Sequence, residues 1–291
     1  MRIVIAGVSG QVGSRLKTVL SSDHDIIGYD IQTLDITDFS AVKRAITPLK
    51  PDIAINAAAW TDVDGCAKDP QRAIAVNAIG AQNLAIAAYD VNASILQLSS
   101  NEVFAGNAKR PYGEYDHRSA VNPYGHSKLV GERAVAQTNP RHYIVRFSWL
   151  FAHGGHNFIH AILNAARAGK SLRVVVDEVS NPTYNADLVD ALVQLIHTER
   201  YGTYHLPNEG VISRYTFARY LLDKAGYRDV PIAPISRHEW HRPSTPPLYT
   251  GLENTFARQI GITMRSWESA VDTFLEAENL LAPVQKTSTN P

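Results

Sequence analysis

The sequence predicts an α/β protein built on a doubly wound parallel sheet, and three observations carry that expectation. Short β-branched runs without polar alternation, such as Ile3-Val4-Ile5-Ala6, recur between helical stretches, as strands buried on both faces do. The first run breaks into Gly7-Val8-Ser9-Gly10-Gln11-Val12-Gly13, a GxxGxxG turn, after which Val12, Leu16, Val19 and Leu20 fall at helical spacing. Further on, Asn122-Pro123-Tyr124-Gly125-His126-Ser127-Lys128 offers a helix cap, a proline suited to the first helical position, and a Tyr and a Lys one turn apart.

The elements follow in order. Ile3 to Ala6 is the first strand, and the glycine turn opens a helix whose N-terminus can receive a dinucleotide pyrophosphate. Gly7, Ser9, Gly10, Gln11, Val12 and Gly13 are therefore candidate cofactor contacts, in a Rossmann-type arrangement. Asp25 to Asp30 is the second strand. Asp30 ends it 17 residues past Gly13, near the spacing at which an acid accepts from the adenosine ribose hydroxyls. No Lys or Arg lies between Lys17 and Lys43 to welcome a 2′-phosphate, so the expectation is NADH or NADPH, with NADH favoured. Asp35, Ile36, Thr37 and Asp38 lead into the next helix, capped by Thr37 or Asp38, with Asp35 and Ile36 as further cofactor candidates.

Pro51 to Asn56 is a third strand running into Ala57, Ala58 and Ala59, small residues that would let a cofactor lie close. One long Ala-rich helix is expected from about Gln71 to Tyr89. Ser94 to Ser100 is the fourth strand, bringing Ser99, Ser100 and Asn101 to the carboxyl edge, where open α/β sheets bind ligands. A fifth strand covers Tyr143 to Phe147. Later elements are helices at Asn157–Ala168, Ala186–Thr198, Arg214–Gly226 and Trp267–Leu281, with strands at Leu172–Val176 and Gly202–Leu206. The loop through His153, Gly154, Gly155 and His156 reads as mobile and lacks a convincing set of metal ligands, so no metal is expected. Residues 1–150 form the expected cofactor domain, with 183–206 returning to it. Residues 151–182 and 207–282 form a smaller interleaved substrate domain, and 283–291 a disordered tail.

Composition bounds the partners. The 291 residues carry 28 basic and 28 acidic side chains, so net charge gives no reason to expect nucleic acid or an anionic membrane surface. A single cysteine, Cys66, excludes an internal disulfide and fits a reducing cytoplasm. The apolar start ends at Gly7, too short for a signal-peptide core, and no run approaches a membrane span.

Tyr124 and Lys128 share one face of their helix. A neighbouring ammonium favours the phenolate, which predicts a Tyr124 pKa below its usual ~10 and a general acid ready at neutral pH.

Taken together, GxxGxxG, Asn56-Ala57-Ala58, Ser100 and Tyr124-x-x-x-Lys128 resemble the extended short-chain dehydrogenase/reductase superfamily. Within it, PDIAINAAAWTDVD (Pro51 to Asp64), Val76-Asn77-Ala78, NPYGHSKLVGE (Asn122 to Glu132), Arg146-Phe147-Ser148-Trp149, Asn181-Pro182-Thr183 and Arg242-Pro243 are similar to the dTDP-4-dehydrorhamnose reductases and related nucleotide-sugar ketoreductases. The resemblance implies reduction of the C4 ketone of a dTDP-4-keto-6-deoxy sugar, a nucleotide-sugar substrate, and a possible homodimer. It implies Ser100, Tyr124 and Lys128 as catalytic residues, with Tyr124 and Lys128 also at the nicotinamide ribose. Ser100, Asn101, Glu102, Trp149, Asn157 and Arg242 are implied as substrate contacts, Arg242 as a bidentate phosphate partner. Such family members usually read Ser-Thr-Asp-Tyr-Val-Phe where this chain has Ser99-Ser100-Asn101-Glu102-Val103-Phe104. The same scaffold also serves nucleotide-sugar epimerases and dehydratases, and the non-catalytic regulatory β subunit of methionine adenosyltransferase. Fold alone does not separate these.

Overall fold

The structure, a computed structural model, describes residues 1–154 and 157–282. Part of the histidine loop (Gly155 and His156) and the tail from Pro283 lie outside the described residues.

The chain alternates as the periodicity predicts. Strand β1 (Arg2–Ala6), helix α1 (Gln11–Leu20), β2 (Asp25–Tyr29), α2 (Phe39–Ile46) and β3 (Ile53–Asn56) come first. The short helices α3 (Val63–Lys68) and α4 (Pro70–Ile74), then α5 (Gly80–Asp90), lead to β4 (Ser94–Leu98). Helix α6 (Pro123–Thr138) and β5 (His142–Arg146) complete the first half. Asp38, one of the two expected caps, accepts from the Ala41 N–H at the start of α2. The Ala-rich segment is not one regular helix: Ala75–Ile79 forms a π-helical turn between α4 and α5, which buries Asn77.

The later elements are β6 (Leu150–Phe151), α7 (Phe158–Arg167), β7 (Leu172–Val175), β8 (Val179–Ser180), β9 (Thr183–Tyr184), α8 (Asn185–Ile196) and β10 (Gly202–His205). They continue through β11 (Ile212–Ser213), α9 (Arg214–Lys224), β12 (Ile232–Ile235), α10 (Thr255–Gln259) and α11 (Trp267–Ala277).

Six strands form one sheet in the order β10-β5-β4-β3-β1-β2, every pair parallel. The chain order reverses at β1, which sits between β2 and β3, and ligands bind outside the carboxyl ends of strands at such a switch point. On one face the sheet packs Val12, Leu16 and Leu20 of α1 with Leu188, Leu192 and Leu195 of α8. On the other it packs Val42 and Ile46 of α2 with Ala81, Leu84 and Ala88 of α5. β10 arrives by way of α8 and pairs with β5, so the segment after residue 183 closes the sheet edge.

A second core, separate from the sheet, gathers Phe151, Ile159, Leu163, Phe217, Leu221, Trp267 and Phe274 from β6, α7, α9 and α11. Its small sheets are the parallel pairs β6–β9 and β7–β12 and the antiparallel pair β8–β11.

Candidate active site

The glycine turn earns its residues sterically. Gly7 has φ +80°, and a Cβ there would lie 2.5 Å from the Ala58 nitrogen; a Cβ on Gly13 would collide with the Gly7 carbonyl. Gly10 differs: it is the cap of α1 at φ −73°, and a Cβ would meet only the Gly7 carbonyl oxygen, at 3.3 Å. No side chain caps α1 and its first turn holds no acid, so the amides at its start face an open surface beside exposed Ser9, Gly10 and Gln11. That cradle fits a pyrophosphate. The Val12 side chain points into the core, which leaves only its backbone to a cofactor.

Across the switch point, Ala57, Ala58 and Ala59 leave β3 half-buried, and the Ala58 N–H donates to Asn56 Oδ1 at 3.1 Å. Asn77 fixes the next residues. Its Oδ1 accepts from the Trp60 N–H, and its Nδ2 donates to the Trp60 carbonyl and to Ser127 Oγ on α6. The π-helical turn is what brings Asn77 to that place.

Asp30 stands at the end of β2, but its Oδ1 accepts from the N–H groups of Gln32 and Thr33 and from the Thr33 hydroxyl. One carboxylate oxygen therefore builds the turn. Asp35 caps its own turn in the same way, accepting from the Thr37 N–H and hydroxyl. The Ile36 side chain is 4% exposed within the sheet core, in the room that Gly80 of α5 leaves, and Asn83 takes its carbonyl, so its backbone N–H is what it could offer a cofactor.

Ser100, Tyr124 and Lys128 come together. Asn122 caps α6 by accepting from the Gly125 N–H at 2.8 Å, and Pro123 takes the first helical position. Tyr124 and Lys128 are 9% and 3% exposed. Lys128 Nζ donates to the Leu98 carbonyl at 2.7 Å, at the end of the strand that delivers Ser100. Ser100 Oγ donates to Asn101 Oδ1 and accepts from the Glu102 N–H, each at 3.2 Å.

The electrostatics reverse one expectation. Burial, and next the Glu102 carboxylate, push the Tyr124 phenol well above its usual value, with only a hydrogen bond from Ser100 opposing them. Spacing on the helix places Lys128 one turn from Tyr124, but burial and Glu102, not the Lys128 charge, set the phenol. Burial in turn pulls the Lys128 ammonium down to about 8.

Among the elements of the second core lies a cavity of about 550 Å³, lined in part by Trp149, Phe158, Glu178, Arg214, Trp240 and Arg242. A smaller recess joins Asn101, Glu102, Trp149, Glu178, Arg214 and Arg242. Trp149 holds φ +41°, and the Arg214 guanidinium lies over its ring at 3.7 Å from the centroid. Arg214 also stands 3.8 Å from Glu178. Arg242 donates to Asp64 Oδ1 at 2.9 Å, and the Ser244 N–H donates to the same oxygen.

Two expected substrate contacts are occupied by the fold. Asn157 caps α7, accepting from the His160 N–H and donating to the Ala152 carbonyl, and it does not line the cavity. Asn101 donates to Ser180 and Thr250, so it ties the β4 exit to the second core's loops. Arg214 and Glu178 were not anticipated, because their local patterns read only as a helix start and a strand edge.

A parallel sheet, a glycine cradle at the switch point and a Ser–Tyr–Lys group at its carboxyl edge are the arrangement of a short-chain dehydrogenase/reductase of the extended type. The chain belongs to the RmlD substrate binding domain family, which matches residues 1–280. It is similar to the dTDP-4-dehydrorhamnose reductase of Mycolicibacterium smegmatis, at 37% identity over 93% of this chain and 84% of that protein. It is similar also to the spore coat polysaccharide biosynthesis protein SpsK of Bacillus subtilis, at 31% identity over 94% of this chain and 97% of that one. Among solved structures, the dTDP-4-dehydrorhamnose reductase of Bacillus anthracis in complex with NADP matches with a TM-score of 0.91 and 34% identity, over 95% of this chain and 99% of that chain.

Proposed function

We propose that this chain is an NAD(P)H-dependent reductase of the C4 ketone of a dTDP-4-keto-6-deoxy sugar, of the dTDP-4-dehydrorhamnose reductase kind. The observation that carries it is the meeting of buried Tyr124 and Lys128 with Ser100 at the end of β4, next to Glu102, which lines a recess with Arg214 and Arg242. A nicotinamide dinucleotide, when bound, supplies the hydride. The residues that would hold it are the turn Gly7 to Gly13, the alanines after β3, and Tyr124 and Lys128.

The chain's own residues do the rest. Ser100 hydrogen-bonds the ketone oxygen and orients it. Tyr124 gives its phenolic proton to that oxygen as hydride reaches carbon, so ketone, hydride and proton become an alcohol. The raised phenol pKa keeps this proton in place throughout the neutral range. Lys128 offsets the negative charge left on the phenol oxygen. Arg242 and Arg214 face the cavity as cations suited to a diphosphate. Residues 1–150 with 183–206 would serve the cofactor, and the second core the nucleotide sugar.

The test is the fall in nicotinamide absorbance when dTDP-4-keto-6-deoxy-L-mannose is added to enzyme and NADH or NADPH. Turnover to the 4-hydroxy sugar is expected. A protein that binds cofactor and leaves the ketone untouched would refute the reading.

A further inference from the structure

Tyr124, Lys128 and Glu132 follow one another at single turns along α6, and each addresses a different residue where β4 leaves the sheet. Tyr124 shares a hydrogen bond with Ser100, Lys128 Nζ donates to the Leu98 carbonyl at 2.7 Å, and Glu132 Oε1 accepts from Ser99 Oγ at 2.6 Å. One helix face thus holds three consecutive residues of one strand exit. Glu132 is fully buried, and its carboxylate also accepts from Arg146 Nε at 2.7 Å and from Arg118 at 2.9 Å. Arg146 ends β5, the strand whose Val145 carbonyl accepts from the Ser99 N–H at 2.7 Å. The carboxylate therefore clamps β4 to β5 at the level from which Ser100 departs.

We propose that Glu132 is a positioning residue for the reduction: through Ser99 it fixes the strand exit that presents Ser100 to Tyr124, and its buried charge keeps Lys128 cationic. This rests on the reading of Ser100, Tyr124 and Lys128 as the group that reduces the ketone. Glu132 acts through these neighbours and touches neither substrate nor cofactor. Placement is what a buried carboxylate contributes here, because an ion pair taken out of water gains little net stability over apolar residues of the same shape. An apolar side chain at 132 could fill the space. It could neither grip the Ser99 hydroxyl nor supply a negative charge one turn from Lys128.

The groups facing this row decide which charges count. Lys128 faces Glu132 and Cys66 of α3, and burial pushes the Cys66 thiol up to about 11, so it adds no charge at neutral pH. Burial likewise keeps the Tyr124 phenol neutral. Glu132 faces Arg146 of β5 and Arg118, which with Ser99 hold it ionised against its own burial. Behind Arg146 stands His205 of β10, which burial pulls down to about 3 and leaves neutral. Glu114 gives Arg146 its carbonyl, while its carboxyl, raised by burial, accepts from the Thr255 and Phe256 N–H groups. Glu132 is thus the negative charge that supports Lys128 while burial lowers that ammonium to about 8.

The experiment compares wild type, Ser99→Ala and Glu132→Gln in steady-state reduction of dTDP-4-keto-6-deoxy-L-mannose across pH, with cofactor affinity from fluorescence titration and folding from thermal melts. Ser99→Ala removes the grip and leaves the carboxylate with its arginines. Its kcat should fall at least tenfold, with cofactor affinity within twofold of wild type and the limb of kcat/KM near pH 8 left in place. Glu132→Gln removes the charge, and its limb should move down by about one pH unit, which a merely structural role would not do. Should Glu132→Gln fail to fold, Ser99→Ala carries the test. A kcat within twofold in Ser99→Ala overturns the inference, as does a limb at the wild-type pH in folded Glu132→Gln. An inactive wild type that still binds cofactor would remove the underlying reading as well. An active wild type matched by both variants would remove this inference alone.

Discussion

Lys128 and Leu98 are joined by a 2.7 Å hydrogen bond from Nζ to the backbone carbonyl, so the ammonium is fixed by the strand that delivers Ser100. Because the ammonium is buried, it gives up its proton at about 8. Below that pH it is cationic and can offset charge on the Tyr124 oxygen; above it, that help is lost. The free-enzyme profile of kcat/KM should therefore fall as pH rises through about 8. Lys128→Arg stays charged, and its profile should lack this limb; a limb at the same pH in an active Arg variant would count against the assignment.

Tyr124→Phe removes one oxygen and leaves the ring to pack. General acid catalysis is typically worth 10²–10⁴-fold, so kcat should drop by about that much while cofactor affinity stays within about twofold. A variant turning over within threefold of wild type would end the mechanistic claim.

Gly7 and Gly10 should respond in opposite ways. Gly7→Ala places a Cβ 2.5 Å from the Ala58 backbone at a φ of +80°, so the protein itself should be destabilised. At Gly10 a Cβ meets only the Gly7 carbonyl oxygen, 3.3 Å away, a contact that a small shift relieves, so the fold should survive Gly10→Val and cofactor affinity should fall instead. Thermal melts and cofactor titration separate the two, and unchanged affinity in a folded Gly10→Val protein would make the turn structural only.

Glu132 lies beneath the site, fully buried, and accepts from Arg146 at 2.7 and 2.8 Å, from Arg118 at 2.9 Å and from Ser99 at 2.6 Å. Burial acts to raise its carboxyl, but Arg146, Ser99 and Arg118 outweigh it and hold the group below its usual 4.5. A depressed pKa means stability that is present above the unfolded value and lost as pH falls through the folded one. Glu132→Gln, which strands Arg146, should cost about 3–5 kcal/mol in denaturant unfolding and blunt the acid sensitivity below pH 4.5. A loss under 1 kcal/mol would show that the arginines find other partners.

Cofactor choice is the fifth expectation. Asp30 closes β2 with one carboxylate oxygen outside its own turn, and no Lys or Arg follows before Lys43. NADH should serve at least as well as NADPH in initial rates at matched, sub-saturating cofactor. A tenfold preference for NADPH, about 1.4 kcal/mol, would refute this.

What the sequence made legible was whatever depends on neighbours along the chain. Apolar runs located the sheet strands, the glycine spacing located the cradle, and Asn122-Pro123 located the helix that carries Tyr124 and Lys128. The return of Gly202–His205 to the sheet was legible because parallel strands need a crossover helix and α8 supplies one. Burial and distant partners were not legible. Helix spacing sees Lys128 beside Tyr124 but not the loss of water that raises the phenol. The Ala-rich run hides a π-helical turn because alanine fits either winding. Asn157 carries the residue type of a ligand contact and serves as a cap, and Ile36 turns inward because Gly80, far along the chain, leaves the space.

The Asp64–Arg242 ion pair joins positions 178 residues apart. Loop closure of that length is not prohibitive, since each doubling adds only about 0.6 kcal/mol of entropy, but it imposes an order of events. During synthesis the ribosome lays down the glycine turn, Tyr124 and Lys128 well before Arg242 leaves the exit tunnel. On the reading proposed above, the residues assigned to the dinucleotide are thus made before the Arg242 wall of the cavity, while the core against the sheet still awaits Ala257, Ile262 and Met264.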